Sequence, residues 1–168
     1  MHKIYKGMFC FPYTDVVDHT HEPMKYSTEL AFLSLVEKTD DETNHRNILS
    51  NSEIELLKSE FRSIPDDLVD YLQEIGSGSF RECQFRVHYR LFDLRDLGLE
   101  DVYQLKDGIK FFGDNFAGDF AGFDFKGNPS LVVEFWHEEG TIFETRKTFK
   151  EYIREQMLLG PNGQDLRQ

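Results

Sequence analysis

Cations, cysteine, tryptophan and long apolar runs are all scarce in this chain of 168 residues. Lysine and arginine number 19 against 31 aspartates and glutamates, a formal net charge of −12. Nucleic acid and anionic membrane surfaces are themselves negative, so this balance argues against either as a direct partner and suits a basic protein. Cys10 and Cys83 form no CxxC pair and cannot build a disulfide framework, which points to a reducing cytoplasm. No apolar run approaches the roughly 18–20 residues that a membrane-spanning helix needs. Near the N-terminus, "GMFCFPY" is too short and too broken by Pro12 to form a signal-peptide core.

Phenylalanine is what the chain has in plenty: 16 residues, nine of them between Phe111 and Phe149. Each aromatic ring buries about 150–250 Å², so the supply of core is larger than the hydrophobic fraction of 39% suggests. The length fits one domain.

From residue 52 onward the pattern is sharp. Ser52 and Glu55 have capping-box spacing, and Ile54, Leu57 and Phe61 then fall on one helical face. Pro65 ends that helix, and Asp66 and Asp67 suit the start of another, where the helix dipole favours negative charge. Leu68, Leu72 and Ile75 form its buried stripe, and Gly76 stands where a helix-ending glycine belongs. "GSGS" reads as a loop. Phe85 to Leu91 alternates, with Phe85, Val87, Tyr89 and Leu91 on one face and Gln84, Arg86, His88 and Arg90 on the other, as in a half-buried strand. "GDFAGFDFKGNPS" reads as a strand entering a turn at Lys126–Pro129, and "SLVVEFWHEEGTIFE" as two strands joined at Glu138–Gly140. Thr148 with Glu151 repeats the capping-box spacing ahead of Phe149, Tyr152, Ile153 and Met157 on one face. Earlier in the chain, Ser27 to Glu37 fits a short helix or a buried strand, and "KTDDETNHRN" a surface loop. Helices, then strands with short turns, then a helix predict a single α+β domain with a predominantly antiparallel sheet flanked by helices. The expected division is an N-terminal extension over 1–51 packing on the domain, a core domain over 52–159 and a loose tail over 160–168.

The order of these pieces resembles the SUKH superfamily, which contains fungal cell-wall (glucan) synthesis regulators and bacterial immunity proteins that neutralise polymorphic toxins. The features that carry the resemblance are "IPDDLVDYLQEIGSG", "IKFFGDNFAGDFAGFDF" and "SLVVEFWHEEGTIFETRKTFKEYI". The first is similar to the family's Pro-led helix with a glycine-rich end. The second is similar to its apolar pair, Phe-Gly-Asp and alternating aromatics, and the third to its paired strands and closing helix. The resemblance implies a non-catalytic binding protein: an immunity protein that occludes a toxin's active site, a nuclease's among them, or alternatively a regulatory scaffold.

Seven carboxylates (Asp114, Asp119, Asp124, Glu134, Glu138, Glu139 and Glu144) face one cation, Lys126, between Phe111 and Glu144. Projected from one sheet and its turns, they would make a negative field suited to a basic toxin domain; the bland alternative is an ordinary solvated face. The expected partner-binding set is Asp114, Asn115, Asp119, Asp124, Glu134, Trp136 and Glu138, with Trp136 read either as core or as an interface anchor. Gly113, Gly118 and Gly122 suit tight turns and bulges that aim the phenylalanines inward. Arg86, His88 and Arg90 fit an anion site, cross-strand pairing with the acidic residues or, the favoured reading, a charged sheet edge.

No metal or other cofactor is expected. Asp114, Asp119 and Asp124 stand five apart and miss the calcium-loop spacing. His19 and His21 with Glu22, or His137 with Glu138, lack the helical HExxH arrangement. A metal-dependent hydrolase using Asp114, Asp119 and His137 is the alternative from another class. No Gly-x-Ser-x-Gly elbow is present, and "GSGS" follows a helix and lacks the lysine of a phosphate loop, so no enzyme activity is predicted.

Overall fold

The computed structural model describes residues 23–38 and 40–167. Among these residues seven strands form one sheet in simple meander order with every neighbouring pair antiparallel: β1 (Arg46–Asn47), β2 (Ser77–Phe80), β3 (Phe85–Phe92), β4 (Ile109–Asp114), β5 (Phe120–Asp124), β6 (Val132–Trp136) and β7 (Thr141–Glu144). Four α-helices among the same residues accompany it: α1 (Ser27–Val36), α2 (Asn51–Glu60), α3 (Asp66–Glu74) and α4 (Phe149–Gln156). The chain is a single α+β domain, as its pattern of elements predicts.

The sheet buries both faces, which explains the phenylalanine content. On one face Phe80, Phe85, Val87, Phe112, Ala121, Phe123 and Val132 meet the apolar stripes of the helices, among them Leu68, Leu72, Phe149, Tyr152 and Ile153. On the other, Phe92, Ile109, Phe111, Val133 and Phe135 are covered by Leu94, Leu99, Tyr103 and Leu105 from the segment between β3 and β4. Successive residues of a strand point to opposite faces, so runs such as Phe111-Phe112 and Val132-Val133 feed both layers at once.

The region that fits helix or strand is the helix α1. Glu29, Phe32 and Leu33 are its buried positions, at the spacing of a helical face, and Tyr26 is buried at its N-terminal cap. The start of α1 is capped from outside, because the N–H groups of Lys25 and Tyr26 donate to the Glu74 carboxylate of α3 at 2.9 and 2.7 Å.

Several expectations need correction. The capping box of α2 is built by Ser50 and Glu53, not by Ser52 and Glu55. Both pairs have the same spacing; the choice falls two residues earlier because Leu49 is buried and its N–H donates to the Leu72 carbonyl, which pins the chain at the helix entrance. Ser50→Ala should therefore cost about 1 kcal/mol in a denaturant titration, with Ser52→Ala within a few tenths of wild type. "GSGS" is not a loop but most of β2, with Gly78 held between β1 and β3. A Cβ at Gly78 would run into the His45 carbonyl, and its φ of +136° lies outside the range of most side chains. The alternation of β3 fails at Tyr89, which is exposed: the β3–β4 register slips between Val87 and Phe92, taking the middle of the strand off the ladder.

Alternation turns Phe112 toward the helices and Phe111 to the opposite face, and a bulge in β4 between Phe111 and Gly113 then shifts the register so that Gly113 lies opposite Ala121. Gly113 carries no side chain because a Cβ there would strike the Arg86 carbonyl and the Phe85 ring. After α4 the chain folds back: Leu159 bridges Asp165, Asp165 pairs with the buried Arg81 at 2.7 Å, and Arg167 pairs with Glu82. The segment expected as a loose tail is thus tied to the β2–β3 turn.

Candidate protein-binding surface

The acidic stretch runs through β4, β5 and β6 and their turns, and most of its carboxylates are engaged within the fold. Asp114 ends β4 and is buried. Its Oδ2 accepts from Arg86 Nε at 3.0 Å and Nη2 at 2.9 Å and lies 2.7 Å from His88 Nε2, while Oδ1 accepts from the Phe116 N–H at 3.0 Å. Burial pushes the Asp114 carboxyl upward, but these donors outweigh it and hold it below the usual carboxylate range. The Arg86–His88 face is therefore the cross-strand partner of Asp114. It is not a charged edge, because β3 is an interior strand of the sheet.

Asn115 and Asp119 shape the β4–β5 turn. Asn115 Oδ1 accepts from the N–H groups of Ala117 and Asp119, and its Nδ2 donates to Asp119 Oδ2 at 3.0 Å. Asp119 Oδ1 accepts from the His137 N–H at 3.0 Å and lies 2.8 Å from His137 Nδ1, clasping this turn to the one after β6. Asp124 accepts from Lys106 Nζ at 2.5 Å and from the N–H groups of Lys126 and Gly127, closing the β5–β6 turn. For both carboxylates desolvation acts upward and is overcome by these hydrogen bonds, so both lie below their ordinary range.

Glu134, Trp136 and Glu138 come together differently. Trp136 is 40% exposed on the helix side of β6, and its ring centroid lies 4.0 Å from that of Phe143 on β7, which is 37% exposed. Glu134 fixes the pair: its Oε2 accepts from Trp136 Nε1 at 3.1 Å and its Oε1 from the Tyr152 hydroxyl of α4 at 2.8 Å. Burial and the neighbouring Glu134 push the Tyr152 hydroxyl far upward, so it stays protonated and donates. Glu138 and Glu139 are exposed in the adjoining turn, without an ion-pair partner among the described residues. The result is a preorganised aromatic pair beside two free carboxylates, an arrangement that can anchor a basic protein surface. Phe143 was not among the expected residues; its signal lay in the hairpin register that sets it opposite Glu134.

Two further concavities flank the covering segment. A cleft of about 480 Å³ is lined by Lys106, Lys110 and Lys126, each paired with an aspartate. A depression of about 260 Å³ has Phe92, Leu97, Phe116 and Phe120 as walls, with the Arg86 guanidinium over the Phe116 ring. Asp119 and His137 meet as the hydrolase alternative requires, but Asp114 is turned to Arg86 and His88. Among the described residues no group of three His, Cys, Asp or Glu side chains is placed to hold a metal. His19, His21, Glu22 and Cys10 lie outside the described residues. No described helix is long and apolar enough to cross a membrane.

No curated protein and no solved structure matches the chain. The model of the SMI1 / KNR4 family (SUKH-1) matches residues 48–155, a span that takes in α2, α3 and every strand from β2 to β7 and most of α4. With more than half of its length inside that match and the helix–sheet–helix order in place, the chain belongs to the SMI1/KNR4 family (SUKH-1).

Proposed function

We propose that this protein is a non-catalytic, cytoplasmic binding protein of the immunity type, which neutralises a basic toxin domain by covering its active site. The observation that carries this reading is the Trp136–Phe143 pair, exposed and held by Glu134 and Tyr152 beside the free carboxylates of Glu138 and Glu139. A large aromatic fixed at a sheet surface gains binding energy without losing rotamer freedom on docking, and tryptophan is enriched among interface anchors. The carboxylates attract a basic cleft over about a Debye length and reject acidic proteins. The SUKH resemblance supplies the class of partner; the surface supplies the charge and the anchor. The family's name also covers regulators, and the same experiment separates the two roles.

Co-expression with the secreted-toxin domains encoded in the same genome should restore growth for one of them. Trp136→Ala should weaken that complex by about 30-fold, roughly 2 kcal/mol, while the protein stays folded and its thermal midpoint falls by only about a few degrees. Glu138→Gln should slow association and reduce its dependence on salt. A folded Trp136→Ala variant that protects as well as wild type would move the interface elsewhere. Rescue by no toxin, with wall-synthesis enzymes bound instead, would favour the regulator.

A further inference from the structure

The outer edge of β7 lies beside the aromatic pair and, among the described residues, has no neighbour in the sheet, whose order ends there. Thr145 donates its N–H to the Val132 carbonyl at 3.1 Å. With the register Glu134↔Phe143 and Trp136↔Thr141, Thr141 and Phe143 therefore bond inward to β6. The N–H and C=O groups of Ile142 and Glu144 consequently point outward, at the spacing an added antiparallel strand requires. Such an edge is a template for pairing. Phe143 stands on its helix-side face, backed by Trp136, and Glu144 on the opposite face.

We propose that β7 accepts an extended segment of the protein partner as an eighth strand, one that alternates apolar and basic side chains. The apolar positions of that strand pack on Phe143 and Trp136, and its lysines or arginines lie against Glu144 and beside Glu138 and Glu139. Electrostatics select this occupant. Around the edge Glu138, Glu139 and Glu144 outnumber Arg146, the single neighbouring unpaired cation among the described residues, so a second copy of this chain would bring like charge against like at the edge and −12 against −12 overall. A basic segment reverses both terms. Main-chain hydrogen bonds then supply attachment, and the alternation of side chains supplies selectivity. This docking mode rests on the binding-protein reading given above, but it has its own test, which needs no toxin.

The probe is an eight-residue peptide of alternating valine and lysine, blocked at both ends, titrated into the full ¹⁵N-labelled chain. Saturable shifts are expected to centre on the amides of Ile142 and Glu144, with slowed hydrogen exchange there and a change in Trp136 fluorescence. Glu144→Pro removes an outward N–H at an edge position that tolerates proline, and should weaken the peptide at least tenfold with the fold retained. Glu144→Gln keeps the N–H and should lose only a few-fold. Absence of binding, shifts spread over the acidic surface, or equal binding by the folded Glu144→Pro variant would each overturn the proposal. So would a self-associated dimer that Glu144→Pro dissociates, since the edge would then belong to a second copy. If the peptide fails while toxin rescue still depends on Trp136, the binding-protein reading stands and only strand addition is lost.

Discussion

Phe112→Ala should lower the stability of this protein by about 3–5 kcal/mol, the largest effect expected of any single phenylalanine here. Phe112 has no exposed surface, sits at the β4 bulge and faces the helices. Its ring meets Phe123 and Phe149 at 5.0 Å between centroids, and Tyr152 and Phe85 at 6.1 and 6.4 Å. Those neighbours belong to β5, α4 and β3, so no one element can shift to fill the space the ring leaves. The loss therefore combines transfer of the side chain with an unrelaxed cavity and the aromatic pairs themselves. In urea the midpoint should fall with little change in slope, and the thermal midpoint should drop by roughly 10 °C. Phe143→Ala, on the exposed patch, should cost no more than about 1 kcal/mol and act instead on binding. Comparable losses at the two positions would mean that the helix layer is not joined to the sheet through Phe112.

That contrast shows what a linear pattern carries. The 3.6-residue stripes of α3 and α4 were legible because each is set by burial against one layer within a single element, and β6 and β7 because a short glycine-containing turn separates two apolar runs. Other features depended on neighbours far along the chain. Ser50 and Ser52 offer the same capping spacing, and only the contact of Leu49 with α3 decides between them. Gly78 reads as loop until β1 and β3 are placed on either side of it. The site divides in the same way. Trp136 and Glu138 could be located from strand and turn alone. Whether Asp114, Asp119 and Asp124 face solvent could not, because Arg86 and His88 precede Asp114 by 28 and 26 residues, and His137 and Lys106 stand 18 from Asp119 and Asp124. Composition counts carboxylates; topology decides which of them already have a cation.

Asp114→Asn tests that distinction most severely. The carboxylate gathers Arg86, His88 and the Phe116 N–H around a buried position, and an amide of the same shape sets an N–H₂ group against one or more of those donors. Arg86 keeps some contact with water, which limits the penalty, so the expected cost is on the order of 2–3 kcal/mol. The pH dependence identifies the cause. Because the folded-state carboxyl lies below its unfolded value, its stabilisation is complete above the ordinary aspartate pKa of about 4 and disappears as pH falls through the lower folded value. The stability gap between wild type and Asp114→Asn should therefore be widest above about pH 5 and narrow steadily under more acidic conditions. A gap that is flat from pH 7 to pH 3 would show that the ionised form of Asp114 contributes nothing, and would return the residue to the solvated acidic face. A closing gap makes Asp114 a clasp of the β3–β4 pair. Under the proposed function, a loss of binding in Asp114→Asn would then report on the turn it holds, while Glu138 and Trp136 remain the positions at which binding can be tested with the fold retained.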